Sequence, residues 1–559
     1  MTKTVVAAAL GECVHVAGVM NFLRLAESAG WKTVFLGPAV PIEEVLKAVK
    51  REKADMVGIS YRLTPETGER LLGEFAEAAS ELHEAGVRFA FGGTPPVVER
   101  VKSIGFFEQT FDGSEQVEEV LSYLKGNQAA VKSEADYPQT TVERIQWKSQ
   151  YPILRHHFGL PTMEATIEGI EKIADAHALD VISLGIDQDA QENFYHPERQ
   201  NPRQKGAGGV PVRSEDDYRA LYQASRRGNY PLLRTYSGTD DFIKLAEMYK
   251  RTINIAWCAI PLFWFNQMDG RGPWDLEGSI REHQQVMQWY GENNIPVELN
   301  EPHHWGMRDS SDVTFVVAAY LSAYNARAFG VKDYIAQMMF NSPPGLSDAM
   351  DLAKMLAVIE MISPLALTPA PSTLAGTRPT GRGENGFRIW KQTRIGLLSH
   401  PLDTDAARGH LAAATYLQMA LKPDIYHIVG HTEADHAATG DDVIEASKIV
   451  RRAINNAMGA PDMTADPAIQ KRVKELVKDA KRLLDAIRNL SAASSDPLTD
   501  PATLTLAVTS GLMDAPQLRN NKFGRGEALT RIVDGASVAA DKKGKPISES
   551  KRIAKLTSQ

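Results

Sequence analysis

A polar turn that follows an apolar run near the N-terminus is the sequence feature that most constrains the fold. Residues 4–10, TVVAAAL, are continuously apolar, and the turn GECVHVAG follows at 11–18. A helical pattern of apolar residues begins near Gly18 and includes Phe22. A buried strand that ends in a turn and leads into a helix predicts the start of an open α/β sheet. His15 lies in this turn, where such a sheet presents side chains to a ligand.

Two later apolar strands also end in polar or very small residues. The second ends at Ser60-Tyr61-Arg62, and the third ends at Gly92-Gly93-Thr94. A further strand-end loop is predicted at Asp112-Gly113-Ser114. Because the carboxyl ends of parallel strands meet at one edge of a sheet, these residues are expected to line the same crevice as His15.

The order His15-x-x-Gly18, a serine-bearing strand end and Gly92-Gly93 resembles the cobalamin-binding domain of B12-dependent mutases and methionine synthase. The resemblance implies that the His15 imidazole ligates cobalt in place of the cofactor's dimethylbenzimidazole. A neutral imidazole is a good ligand for a transition metal. The family usually has Asp two residues before this histidine, where this chain has Cys13. The resemblance places these residues at the cofactor: Cys13, His15, Gly18, Ser60, Arg62, Gly92, Gly93, Thr94 and Ser114. The alternative is an ordinary flavodoxin-like domain with a surface histidine.

Composition describes an ordinary soluble protein with room for at least two cores. The chain has 559 residues, of which 43% are hydrophobic, and a net charge of −8, which gives no reason to expect a nucleic-acid partner. Two cysteines exclude a disulfide framework. The most apolar stretch, 253–265, is too short to span a bilayer, and the N-terminus lacks a signal-peptide pattern. We therefore expect a cytoplasmic protein without a membrane partner.

The changing pattern along the chain predicts four segments. Residues 1–125 are expected to form the α/β cobalamin-binding domain, and the polar segment 126–160 is expected to be a linker. Strands alternate with longer helices over 161–460, and 461–559 is expected to be a C-terminal helical and irregular extension.

The third segment predicts a (β/α)8 TIM-type barrel. Each of its apolar strands runs into polar residues at its C-terminal end, which is where such barrels carry their sites. An eighth strand is not obvious and is expected within 160–175 or 204–214. The long polar segment 188–215 is predicted to be an insertion that covers the barrel opening. The seven predicted strands are 180–187, 230–237, 252–260, 295–304, 332–340, 393–400 and 424–431.

The barrel segment resembles the large chain of glutamate mutase, and the whole chain resembles the two subunits of that mutase fused. The matching stretches are RTYSGTDD at 234–241, LEGSI at 276–280, NEP at 300–302, GVKD at 330–333 and SGLMDAP at 510–516. The resemblance implies adenosylcobalamin as cofactor. Its radical would remove a hydrogen atom from the substrate and return it after rearrangement.

Arg234 matches one arginine of the family's cluster that holds substrate carboxylates. A guanidinium suits bidentate carboxylate binding. The alternative is an ion pair with Asp240 or Asp241. Two further arginines of the cluster have no secure match, and the candidates by loop position are Arg199, Arg203 and Arg213.

Four more residues of the barrel are candidates for catalysis. Glu301 matches the family's Glu-Pro, and His303 could act as an acid, a base or a hydrogen-bond donor; the alternative for the histidines here is packing against Trp305. His400 ends a strand where the family also has a histidine. His431 begins the run HTEADH, for which hydrogen bonding is favoured over metal binding.

These patterns predict an adenosylcobalamin-dependent radical isomerase that acts on a small polar, carboxylate-bearing molecule. The family's glutamate and tyrosines after the next strand are missing here, so substrate identity does not carry over. A corrinoid-dependent methyltransferase and a non-catalytic cobalamin carrier or sensor are the alternatives. We expect a homodimer.

Overall fold

A computed structural model describes residues 3–113, 115, 117–126, 133–148, 151–366, 386–491 and 494–557. The chain divides into two compact units, Met1–Ser133 and Glu134–Gln559. No helix in the described part of the chain is both long and apolar enough to cross a membrane.

The first unit is a parallel sheet with helices. Its sheet has the order β2-β1-β3-β4-β5, which is the flavodoxin-like doubly wound arrangement. The strands are β1 (Thr4–Ala9), β2 (Lys32–Phe35), β3 (Met56–Tyr61), β4 (Arg88–Gly93) and β5 (Gln109–Phe111). The helices are α1 (Ala17–Ser28), α2 (Ile42–Glu52), α3 (Pro65–Ala78), α4 (Ser80–Glu84), α5 (Pro95–Lys102) and α6 (Val117–Leu124).

Two central strands of this sheet set the position of its binding edge. β1 and β3 are buried along their whole length, because helices on both faces of a parallel sheet favour uninterrupted apolar strands. The strand order reverses between them, since β2 lies on one side of β1 and β3 on the other. Ligands of such sheets bind beyond the carboxyl ends of the strands at this reversal. The turn at 11–16 lies there.

The second unit contains an eight-stranded parallel barrel that is nearly closed. The strand order is β8-β7-β6-β13-β12-β11-β10-β9, and a hydrogen bond from Ala256 N to Leu233 O (2.8 Å) joins the two ends. The strands are β6 (Ile153–Phe158), β7 (Val181–Leu184), β8 (Leu232–Arg234), β9 (Cys258–Ile260), β10 (Val297–Leu299), β11 (Asp333–Phe340), β12 (Arg388–Ile395) and β13 (Ile425–Ile428).

A helix follows every barrel strand, as the (β/α)8 prediction requires. The eight barrel helices are α8 (Met163–Asp175), α10 (Glu215–Ala224), α11 (Phe242–Ile253), α12 (Leu276–Glu292), α14 (Asp312–Ala328), α15 (Asp348–Ile362), α16 (Thr404–Gln418) and α17 (Gly440–Ala457). Three shorter helices are α7 (Thr141–Trp147), α9 (Gln188–Glu192) and α13 (Glu301–Gly306).

The prediction of the eighth strand was wrong in position. β6 lies at 153–158, inside the segment expected to be a linker, whereas 160–175 contains α8 and 204–214 contributes only an isolated bridge between Ile186 and Val210. The sequence of β6 is ILRHHF. Arg155 and His157 interrupt its apolar run because they point into a polar barrel interior, where Arg155 meets Glu298. A strand with a polar inner face does not show the apolar pattern that we used to find the other seven.

Most predicted strands are longer than the observed ones, and the strand predicted at 393–400 instead spans Arg388–Ile395, because the chain turns into a short 3-10 helix at Leu397–Ser399. In two cases a helix takes up part of the predicted range. The first part of 252–260 still belongs to α11, which ends at Ile253. The second part of 295–304 is α13, in which Pro302 occupies the first turn. Proline is favoured there because its missing N–H has no intrahelical partner to lose. His303 and His304 are therefore helical residues.

The segment after residue 460, predicted to be a helical and irregular extension, contains helices and a short hairpin and belongs to the same unit as the barrel. Arg472 of α18 (Pro467–Arg488) pairs with buried Asp312 of α14 at 2.9 Å. Asp514, in the SGLMDAP stretch, accepts hydrogen bonds from four backbone N–H groups. The remaining elements are α19 (Pro501–Thr509), the hairpin of β14 (Thr530–Val533) and β15 (Ala536–Ala539), and α20 (Glu549–Thr557).

Candidate functional site

His15 occupies the loop between β1 and α1 and is exposed. Its Nδ1 lies 3.9 Å from the sulfur of Cys13, which is completely buried. A partner on one ring nitrogen orients an imidazole and leaves the other nitrogen for a metal. A thiol is a weaker hydrogen-bonding partner than a carboxylate. The turn therefore presents an accessible imidazole whose neighbouring side chain, Cys13, is a weak hydrogen-bonding partner.

Some of the predicted cofactor residues near His15 have free space or a free polar atom for a ligand, and others do not. The Ser60 hydroxyl at the end of β3 is buried and has no hydrogen-bond partner. A side chain at Gly18 would meet nothing within 4 Å, and one at Gly92 would meet only the Phe111 carbonyl at 4.0 Å. Gly93 differs, because a β-carbon there would lie 2.9 Å from the Phe91 ring. Close packing against Phe91 thus explains why position 93 is a glycine.

Two other predicted cofactor residues, Arg62 and Thr94, directly follow strands of this sheet. Arg62 is exposed just after β3. Thr94 precedes α5, and its hydroxyl does not cap that helix. Ser114 lies outside the described residues. An exposed imidazole, an unpartnered buried hydroxyl and open glycines at one sheet edge fit a corrinoid with His15 as the cobalt ligand.

The barrel mouth is the carboxyl end of the eight barrel strands, and an ion pair crosses the interior below it. Arg155 on β6 and Glu298 on β10 approach to 3.5 Å, and both are buried. The Trp257 indole donates to the same carboxylate at 2.7 Å. Burial alone would raise the pKa of Glu298, but the guanidiniums of Arg155 and Arg234 outweigh it and lower that pKa. Glu298 is therefore ionised and already engaged.

Arg234 ends β8 and is 1% exposed. Its Nη1 donates to the Ser183 hydroxyl at 3.3 Å, and its Nε has no hydrogen-bond partner. The guanidinium carbon lies 5.4 Å from the centre of the Trp257 ring. The alternative ion pairs are not formed, since Asp241 binds Lys244 at 2.7 Å and Asp240 lies 3.9 Å from Arg199. Arg234 is a buried cation without a carboxylate partner among the described residues.

Arg394 on β12 is the second such cation. It is 6% exposed, and its hydrogen bond runs from Nε to the Ile395 carbonyl at 3.3 Å. Within the described ranges it forms no ion pair. Its charge contributes to the lowered pKa of six surrounding imidazoles, which places them around it: His156, His157, His303, His304, His400 and His427.

The predicted histidines His303 and His400 follow the carboxyl ends of β10 and β12, and the Arg394 charge acts on both. Burial and the Arg394 charge lower the pKa of His303 to about 3, and burial with His410 and Arg394 lowers the pKa of His400 to about 4. Both nitrogens of His400 lack hydrogen-bond partners. His303 Nδ1 contacts the Gln337 amide oxygen, which only accepts, so this nitrogen carries the proton. Both imidazoles are neutral near pH 7 and suit hydrogen bonding to a ligand.

His431 lies in the loop after β13 and belongs to the same group. It is buried, its Nδ1 has no partner, and its charge acts on His156 and His400. His436, at the other end of the HTEADH run, is half exposed and pairs with Asp435 at 2.8 Å. No three metal-ligating side chains of this run converge in the described structure.

Glu301, at the start of α13, is completely buried and fully engaged in hydrogen bonds. Its carboxylate accepts from the backbone N–H groups of Leu262 and Phe263 at 2.6 and 2.9 Å, and from the Trp305 indole at 2.6 Å. Burial raises its pKa to about 7. These bonds hold the loop after β9 against α13. Glu301 thereby positions the walls of the barrel mouth.

The loop arginines do not supply the missing cluster. Arg213 binds buried Asp187 through two bonds of 2.8 and 2.7 Å, which organises the segment after β7. Arg199 and Arg203 are exposed. The cations that do line the barrel are Arg155 and Arg394, which sequence reasoning missed. A signal was present for Arg155, which interrupts an apolar strand at an inward-facing position, whereas Arg394 follows the polar residues Lys391, Gln392 and Thr393 of β12 and does not stand out.

Three other side chains, none of them among the arginines and histidines described above, could together bind a metal ion. The ligating atoms of His196, Asp240 and Asp241 fall within 4.8 Å of one another. Lys244 pairs with Asp241 at 2.7 Å, and Arg199 lies 3.9 Å from Asp240. These side chains already neutralise each other.

Comparisons with solved structures give weak similarities. A cobalamin-binding protein from Desulfitobacterium hafniense DCB-2 is 24% identical over 20% of this chain and 52% of its own, with a TM-score of 0.17. This chain thus spans about half of that protein. A 2,3-dimethylmalate lyase of the PEP mutase/isocitrate lyase superfamily is 17% identical over 62% of this chain and 96% of its own (TM-score 0.24). OxsB, a cobalamin-dependent S-adenosylmethionine radical enzyme, is 9% identical over 90% and 83% (TM-score 0.18). Scores this low do not establish a common fold.

The first unit is matched more directly. No curated protein matches the chain. Residues 3–121, which cover β1 to β5 with their helices and include His15, match the family described as B12 binding domain. The predicted cobalamin-binding domain is thereby confirmed, and the second unit is a nearly closed parallel barrel joined to it.

Proposed function

We propose that this chain is an adenosylcobalamin-dependent radical isomerase whose barrel mouth binds a small carboxylate-bearing substrate. The observation that carries the proposal is the pair of buried, unpaired guanidiniums at the mouth of a barrel joined to a B12-binding domain. An unpaired buried charge is costly, so Arg234 and Arg394 favour an anionic ligand. His15 would hold cobalt, and Ser60, Arg62, Thr94 and the open glycines would contact the corrinoid.

The chain's own residues have distinct parts in this proposal. Adenosylcobalamin supplies a carbon-centred radical when it is bound. Arg234 anchors a substrate carboxylate, while His303 and His400 offer neutral nitrogens, and His431 offers its unpartnered Nδ1, to the other polar groups of the substrate. Glu301 keeps the loop after β9 in place. The buried mouth excludes water, which protects a reactive intermediate from side reactions.

The test uses the full-length apoprotein reconstituted with adenosylcobalamin under anaerobic conditions. Candidate acids are added, and EPR is recorded. We expect an organic radical coupled to Co(II) that appears only with a substrate. Turnover of methylcobalamin with a methyl acceptor and without a radical would instead identify a methyltransferase. Corrinoid binding without either activity would leave a carrier or sensor.

A further inference from the structure

The barrel interior has an excess of buried positive charge. Arg155, Arg234 and Arg394 contribute three guanidiniums, each at most 6% exposed. Glu298 compensates one of them through its ion pair with Arg155. Three positive charges and one negative charge leave two uncompensated. Since buried charges are retained when they are paired, a ligand of two negative charges would complete the set.

The two unpaired cations lie on opposite walls. Arg234 is on β8 and Arg394 is on β12, which are four strands apart in the order of an eight-stranded barrel. Tyr236 is near the first, since its ring centre is 5.9 Å from the Arg234 guanidinium, and its hydroxyl interacts electrostatically with the second, Arg394. The two charges are therefore suited to two separate acidic groups of one small molecule.

Among the described residues, the mouth also has no buried carboxylate that is free to pair with a cationic substituent. Of its buried carboxylates, Glu298 is engaged by Arg155 and Trp257, and Glu301 by two backbone N–H groups and Trp305. Glu433, on the loop after β13, is exposed and forms no ion pair with a described residue. Its charge interacts with the Arg394 guanidinium, which therefore competes with any ammonium group for this carboxylate. The surrounding imidazoles His303 and His400 are neutral, so they supply no negative charge to balance an ammonium group. A third cation beside Arg234 and Arg394 would be repelled.

We infer that the barrel mouth selects a small acid with two anionic groups and no ammonium group. This inference rests on the proposed function and narrows its substrate class. The two acidic groups bind Arg234 and Arg394. Hydroxyl or carbonyl groups between them bind the neutral nitrogens of His303 and His400.

The experiment is a calorimetric titration of the full-length protein without cobalamin. Matched probes differ only in an ammonium group or in one carboxylate: succinate, aspartate and propionate, then glutarate, glutamate and butyrate. We expect at least one diacid to bind about tenfold or more tightly than both its amino and its monoacid counterparts. Arg234→Gln and Arg394→Gln should each remove about tenfold or more of that affinity. Arg219→Gln, on the exposed face of α10, should leave it unchanged.

Three results would overturn the inference. The first is equal or tighter binding of aspartate or glutamate, above all if Glu433→Gln abolishes it. The second is diacid affinity that is unchanged in both arginine variants. The third is no binding of any diacid. Corrinoid uptake, followed by its absorption spectrum in the same samples, is an independent measurement, so a failure of the proposed cofactor is distinguished from a failure of the substrate class.

Discussion

Arg155 and Glu298 form an ion pair across the barrel, with Nη1 and Oε2 3.5 Å apart on strands that lie opposite each other. The pair fills the interior below the barrel mouth and neutralises one of three buried guanidiniums. The buried charges of the barrel therefore fall into two groups: Arg155 and Glu298, which pair with each other, and Arg234 and Arg394, which remain for a ligand.

Removal of one partner of this ion pair should destabilise the second unit strongly. Arg155→Met leaves the Glu298 carboxylate buried without its cation, which costs about 3–5 kcal/mol. The control is Arg281→Met, which breaks an exposed pair with Glu277 on α12 and should cost less than about 1 kcal/mol. Urea unfolding of the apoprotein, followed by tryptophan fluorescence, measures both changes. Equal losses in the two variants would contradict the assignment.

His15 should be the lower axial ligand of cobalt. The wild-type protein with adenosylcobalamin should show a spectrum without coordinated dimethylbenzimidazole, and labelled imidazole nitrogen should split the Co(II) EPR signal. His15→Ala should weaken corrinoid binding or change that coordination, whereas exposed His436→Ala should do neither. If dimethylbenzimidazole stays on cobalt in the wild-type protein, the assignment of His15 as the cobalt ligand is wrong.

The side chain at position 13 should determine how strongly the His15 imidazole is hydrogen-bonded at Nδ1, and thereby how well its other nitrogen binds cobalt. A carboxylate at this position would accept a stronger hydrogen bond from the His15 ring than a thiol does, and so make the other nitrogen a better ligand. Cys13→Asp should therefore preserve corrinoid binding and increase the nitrogen hyperfine coupling. Cys13→Ser, of similar size, is the control. A smaller coupling in the aspartate variant than in the serine variant would count against this role.

Arg234 should govern substrate affinity and not corrinoid affinity. Arg234→Lys keeps the charge and loses the planar fork, so KM should rise well beyond about twofold. Arg234→Ala should do worse, because a charge-assisted pair contributes roughly 1.5–3 kcal/mol. Steady-state kinetics and corrinoid titration measure the two effects separately. Normal turnover in both variants would exclude the carboxylate anchor.

Glu301 should make the stability of the second unit depend on pH. Its pKa rises from the ordinary 4.5 to about 7 on folding, so the folded protein holds this proton more tightly. Stability should then fall as pH rises from about 4.5 to about 7, by up to about 1.4 kcal/mol per unit. Glu301→Gln should remove this slope. Melting temperatures of both proteins from pH 5 to 8 test it, and an unchanged slope in the variant would assign it to other groups.

The local sequence determined much of the secondary structure of both units. The apolar run 4–10, the turn with His15 and the helix after Gly18 are neighbours in the chain, so their pattern predicts their structure directly. The same holds for barrel strands such as β7 and β11, whose burial along their whole length leaves a nearly continuous apolar signal. The placement of Arg234 at the end of β8 was also predictable, because the strand and the polar residues after it are contiguous.

Only the tertiary structure decided which charged side chains are neutralised and which remain free. Arg155 and Glu298 are 143 residues apart in sequence, and barrel closure brings them within 3.5 Å. Glu301 resembles a catalytic residue by motif, yet folding surrounds it with backbone donors from the loop after β9. Arg394 and His400 gain their setting from strands and loops distant in the chain. The reason is physical: the protonation and pairing of a buried charge depend on every group around it, and the chain order specifies only a few of them.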